Sequence, residues 1–77
     1  MSDRYKNYLH DVGSEIVDLA KEAKKRSLER ADDYERGRLF SYYEILDLMR
    51  QQAATFDIEL RDVGLEGVEI EQFLGPN

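Results

Sequence analysis

Arg30-Ala31-Asp32-Asp33-Tyr34-Glu35 is the stretch at which this chain is expected to reverse direction. Lys24, Lys25 and Arg26 precede it, and its own second half is acidic. Cations offset the negative end of a helix dipole and carboxylates the positive end of the next. Asp32-x-x-Glu35 also has the spacing of a capping box, with Asp in the place usual for Ser or Thr. The pattern predicts a helix ending near residue 30, a turn over about 31–33 and a second helix starting near 34. The competing reading runs the first helix to Arg36 with Gly37 as its C-cap, leaving Ser41-x-x-Glu44 to start a shorter second one.

Working outward, both flanks carry helical periodicity. Tyr5, Leu9, Val12, Ile16, Leu19 and Ala23 recur at spacings of 4, 3, 4, 3 and 4. Leu39, Tyr42, Leu46, Met49, Ala53 and Phe56 recur at 3, 4, 3, 4 and 3. No proline interrupts either run, and Ser2 or Asp3 is a candidate cap for the first. Facing residues of an antiparallel hairpin have numbers that sum to a constant. Ala23 with Leu39, Ile16 with Leu46 and Leu9 with Ala53 share one sum; Leu19 with Tyr42, Val12 with Met49 and Tyr5 with Phe56 share the next lower one. All six layers align about residue 31, whereas a turn at Gly37 would set Ala23 against Gln51. The expected fold is therefore all-α, an antiparallel hairpin of helices at about 3–30 and 34–56 within a single domain, 1–77.

The second helix is too apolar for one neighbour. At about 100° per residue its apolar side chains cover half the circumference, and Phe40 and Leu48 lie outside even that arc. Either the C-terminal segment folds back on it or a second copy does, and two hairpins packed face to face would make a four-helix bundle. Size points the same way: small scaffolds usually need disulfides, a metal or an oligomer, and this chain of 77 residues has no cysteine. Tyr8, Tyr42, Ile45, Leu48 and Met49 are the expected interface. Gly13, at the edge of the apolar arc, suggests close approach of another backbone, across that dimer interface.

Residues 57–77 differ. Asp57 is placed to stop the second helix, and Gly64, Gly67, Gly75 and Pro76 punctuate the remainder. Six carboxylates against Arg61 give the segment a charge of −5, yet Ile58, Leu60, Val63, Leu65, Val68, Ile70, Phe73 and Leu74 are too apolar for a free tail. Short helical turns lying over the open end of the hairpin are expected. A strand at Val68–Ile70 has no evident partner.

The chemistry is sparse. His10 is the sole imidazole, with Asp11 beside it and Ser14 one turn on, and reads as a surface histidine. Glu44 and Asp47 lack the Glu-x-x-His companions of di-metal bundles. Asp11, Glu15, Asp18 and Glu22 form an acidic row that reads as a solvated face, with Lys21 and Lys25 in reach for ion pairing. No glycine loop cradles phosphate. No cofactor, metal or small-molecule substrate is expected, and the chain is not expected to be an enzyme. No apolar run approaches the ~20 residues of a membrane span, and no hydrophobic leader opens the sequence, so a cytoplasmic location is expected. Seventeen carboxylates against eleven cations leave a net charge of −6, which disfavours nucleic acid. Residues 21–38 alone are basic, with seven cations to five anions.

Tyr42-Tyr43, a tyrosine pair in a small acidic helical chain, resembles the pair presented by colicin-type immunity proteins. The likeness covers those two residues and the composition. It departs where Arg38 and Ser41 precede the pair and only Glu44 comes after it, in place of acidic surroundings. The net charge and the acidic C-terminal segment carry the alternative to the homodimer: an acidic monomeric inhibitor of a basic enzyme, immunity-like or a phage antagonist.

Overall fold

A computed structural model describes residues 3–75. Among them the chain is all-helical, with two long helices and no strand: α1, Asp3–Glu29, and α2, Asp33–Thr55. Two 3₁₀ turns come next, Leu60–Val63 and Ile70–Leu74. The longest dimension is 42 Å, close to the roughly 40 Å of an unbroken helix of α1's length.

The turn falls where the charge pattern placed it. Asp32 is the N-cap of α2, and its carboxylate accepts the Glu35 backbone N–H at 2.8 Å. Only this half of the capping box forms. The Glu35 side chain instead turns into the protein and is buried. Asp3 is the first residue of α1, and Ser2 lies outside the described residues. At the far end Asp57 takes the left-handed conformation (φ 58°). The Ile58 N–H then reaches the Ala53 carbonyl at 2.7 Å and the Asp57 N–H the Ala54 carbonyl at 3.2 Å, the paired bonds of a Schellman stop. The first 3₁₀ turn ends in the same way through Gly64 (φ 77°) and the Leu65 N–H on the Leu60 carbonyl.

The C-terminal segment does not stay over the open end of the hairpin: it runs back along one flank to the tip, because its apolar residues find the helix–helix groove there, and completes the core. Val17, Ala20 and Ala23 of α1 pack with Leu39, Leu46 and Ala53 of α2 and with Val63, Leu65, Ile70 and Phe73 of the segment. No strand forms at Val68–Ile70; Ile70 opens the second 3₁₀ turn instead.

The crossing of α1 with the segment is made backbone to backbone. A Cβ on Gly13 would stand 1.7 Å from the Val63 carbonyl oxygen, and one on Gly64 would stand 2.4 Å from the His10 carbonyl oxygen. The close approach that Gly13 suggested is thus within one chain. It also changes which face of α1 is inside. Gly13, Val17, Ala20 and Ala23 are its buried residues, about one residue round from the expected stripe. Leu9, Val12 and Ile16 are half-buried, while Tyr5 and Leu19, expected in hairpin layers, are exposed, as is Phe56.

Arg50 ties α2 to the second 3₁₀ turn. Its guanidinium donates to Glu71 at 2.7 Å and also to Asp47 one turn back. The bond from Arg50 holds the Glu71 carboxyl below the ordinary glutamate range. A depressed carboxyl stabilises the fold above its unfolded value, and that contribution is lost as pH falls through the depressed one. Glu71→Gln should therefore lower stability slightly at neutral pH and leave it unchanged in acid, flattening the acid limb of the stability–pH curve; the effect is small because the pair is solvent-exposed. Chemical denaturation from pH 7 to pH 3 checks this; an unaltered acid limb would contradict it.

Candidate interaction face

The segment contacts a definable flank of each helix. On α1, Gly64 lies against His10, Gly13 and Ser14, and the Lys24 ammonium donates to the Gly75 carbonyl. On α2, Arg50 meets Glu71, and Phe40 lines a cleft with Phe73 and Leu74. Helical spacing then fixes what lies on the opposite flank. From α1 it carries Tyr5, Tyr8, Val12 and Leu19; from α2 it carries Tyr34, Arg38, Tyr42, Ile45, Leu48 and Phe56.

That opposite flank is open. Of the eleven large apolar side chains that are exposed among the described residues, seven belong to it: Tyr5, Tyr8, Leu19, Tyr34, Ile45, Leu48 and Phe56. Tyr34 is 73%, Tyr8 66% and Leu48 56% exposed, so these are not core-edge residues. Of the five residues expected at an interface, Tyr8, Ile45 and Leu48 stand out from this flank and Tyr42 is half-buried beside the hairpin core, while Met49 reaches inward to 3.3 Å from a Cβ placed on Gly13. Tyr5, Leu19 and Phe56 belong to the same face, although periodicity alone places them in the core. Tyr34 stands outside the periodic runs, and the signal for it is its place three turns N-terminal to Ile45 on one side of α2.

Tyrosine and arginine meet at the hairpin tip. The Arg38 guanidinium carbon sits 5.5 Å from the centre of the Tyr42 ring, within cation–π range. Its Nη1 is 3.9 Å from Glu35 Oε2, and neither atom has a hydrogen bond although both are buried. That separation permits attraction but exceeds hydrogen-bond length. Beside them Tyr34, Gly37, Arg38, Ser41 and Tyr42 line a shallow cleft of about 650 Å³. Nothing lies within 4 Å of a Cβ placed on Gly37. A helix-interior glycine with free space costs about 1 kcal/mol relative to Ala. Gly37→Ala should raise the stability of the fold by roughly 0.5–1 kcal/mol in urea denaturation; a loss would show that the space is needed within the chain.

The remaining polar residues are engaged singly on the surface. His10 Nδ1 lies 3.5 Å from Asp11 Oδ1 with both side chains more than half exposed. Glu22 pairs with Arg26 at 3.1 Å, the cation one turn on. Asp47 accepts from Arg50 and from Gln51, leaving no joint site with Glu44. Among the described residues no cluster of three or more metal-ligating side chains occurs, and no helix is long and apolar enough to cross a membrane. No protein-family model, curated protein or solved structure matches the chain.

Proposed function

We propose that this chain is a non-enzymatic protein–protein interaction module that works in the cytoplasm. It pairs with a second copy through the open flank, two hairpins forming a four-helix bundle. The observation that carries the reading is the concentration of seven of eleven exposed large apolar side chains on the one flank that the C-terminal segment leaves bare. Exposed apolar side chains gathered on one face mark interaction sites when they form a contiguous patch. Tyr8, Tyr34 and Tyr42 with Arg38 also match the residue types enriched at interface centres. Resonance positions in a heteronuclear NMR spectrum test it by dilution. The amides of Tyr8, Tyr42, Ile45, Leu48 and Met49 should move with concentration while those of Val63, Leu65 and Ile70 stay fixed. A spectrum independent of concentration would contradict self-association.

A second reading is favoured by a different observation: the C-terminal segment supplies one chain with a closed core and leaves Glu59, Glu66, Glu69 and Glu71 exposed. A folded monomer with an acidic outer surface would suit an inhibitor of a basic enzyme. Its binding would weaken steeply with salt, and an affinity unmoved by salt would contradict it.

A further inference from the structure

Among the described residues, three of the four exposed large apolar side chains outside the open flank gather at one place. Leu28, Phe40 and Leu74, each about half exposed, surround a cleft of about 400 Å³ at the hairpin tip, on the side where the C-terminal segment ends. Leu39 and Phe73 form its buried floor. The charges at its rim are Lys24 and Arg36, and no carboxylate side chain of the described residues lines it, in a chain of seventeen such carboxylates. Lys21 and Lys25 stand on the same flank of α1 as Leu28, seven and three residues before it. Among the described residues neither rim cation is saturated. Lys24 uses one of its three donors on the Gly75 carbonyl. Arg36 touches Asp33 at 3.3 Å in a pair exposed on both sides, which contributes little and is easily exchanged.

We propose that this cleft docks an acidic amphipathic helix of a partner protein, with one or two bulky apolar side chains in the cleft and flanking glutamates on Lys24 and Arg36. Volume, charge and shape each select that occupant. The volume suits one or two large side chains, and helix-in-groove docking supplies them at i and i+3 or i+4. The tip, residues 21–38, carries a net +2 while the rest of the chain carries −8, so an acidic partner is repelled elsewhere and attracted here. A concave site takes protruding side chains better than it meets a flat lipid surface, and a net charge of −6 opposes an anionic membrane or nucleic acid as a whole. Docking at the cleft does not require self-association, because the cleft and the open flank face opposite ways.

The test uses a fluorescein-labelled synthetic helix of about four turns built from Glu, Leu, Phe and Ala, with apolar residues at i, i+3, i+4 and i+7. Fluorescence anisotropy should give saturable micromolar binding. The double variant Lys24→Glu, Arg36→Glu should weaken it at least tenfold, and Phe40→Ala several-fold, with circular dichroism showing each variant folded. Leu48→Lys, on the other flank, should leave it unchanged. NMR shifts on titration should centre on Leu28, Phe40 and Leu74. No saturable binding below about 1 mM, binding unaffected by the double charge reversal, or tighter association with phosphatidylserine vesicles than with the peptide would each overturn the proposal.

Discussion

Replacing Gly13 with alanine should lower the stability of the fold by about 2 kcal/mol or more, although alanine is the better helix former by about 1 kcal/mol. The added Cβ would stand 1.7 Å from the Val63 carbonyl oxygen and 2.8 Å from its carbon. Both are backbone atoms, so no side-chain rotation relieves the clash. Val63 is itself held in place by the stop just after it, with Gly64 left-handed and the Leu65 N–H bonded to the Leu60 carbonyl at 2.9 Å. Overpacking costs about 1–3 kcal/mol and occasionally more, and here it must outweigh the helical gain. For a domain of this size the net loss corresponds to a fall in Tm of roughly 8–16 °C. Gly64→Ala should do similar harm, adding left-handed strain of about 1–2 kcal/mol to a 2.4 Å contact with the His10 carbonyl. Gly37→Ala is the internal control, since the same substitution in open space should stabilise. Thermal melts of the three variants decide it. A Gly13→Ala protein as stable as the parent would mean that α1 and the C-terminal segment do not meet backbone to backbone.

The position of the turn was legible because its causes are local. Asp32 caps the helix it precedes, and the cations and carboxylates around it sort by dipole end. The stop at Asp57 was legible for the same reason, whereas the fold of the C-terminal segment was not, because its path rests on contacts with helices distant in sequence. Nor was the rotation of α1. Periodicity along a helix finds its apolar stripe, but it cannot show that a distant segment will pack against the small residues beside that stripe. Gly13 and Ala20 admit the segment so closely that burial shifts toward them, and Tyr5 and Leu19 are left outside. The register sums could not detect this, because they count only two helices. The surplus of apolar surface on α2 was legible from Phe40 and Leu48 lying outside the arc. The structure divides that surplus between two places, Phe40 beside the C-terminal segment and Leu48 on the open flank.

Ile45→Lys or Leu48→Lys should convert the proposed dimer to a monomer without unfolding the chain. Ile45 is 42% and Leu48 56% exposed, so within one chain a lysine at either position keeps its ammonium in water. In a two-fold assembly each substitution occurs twice. Every copy loses part of the roughly 1.5–3 kcal/mol that full burial of such a side chain contributes, and it gains a charge that must be desolvated. A rise in the dimer dissociation constant of at least about 100-fold, near 2.7 kcal/mol, is the expected result. Circular dichroism at high concentration, compared with the parent, separates loss of pairing from loss of fold. If either variant remained a dimer of parental affinity, the open flank would not be the interface.

Solution mass across a dilution series is the decisive measurement for self-association. Light scattering on a sizing column should give about 18 kDa at high concentration, twice the 9.0 kDa of one chain. The mass should fall toward 9.0 kDa on dilution, with helicity measured alongside. A mass of 9.0 kDa at every concentration up to millimolar, with full helicity, would contradict self-association and leave the open flank without its proposed occupant.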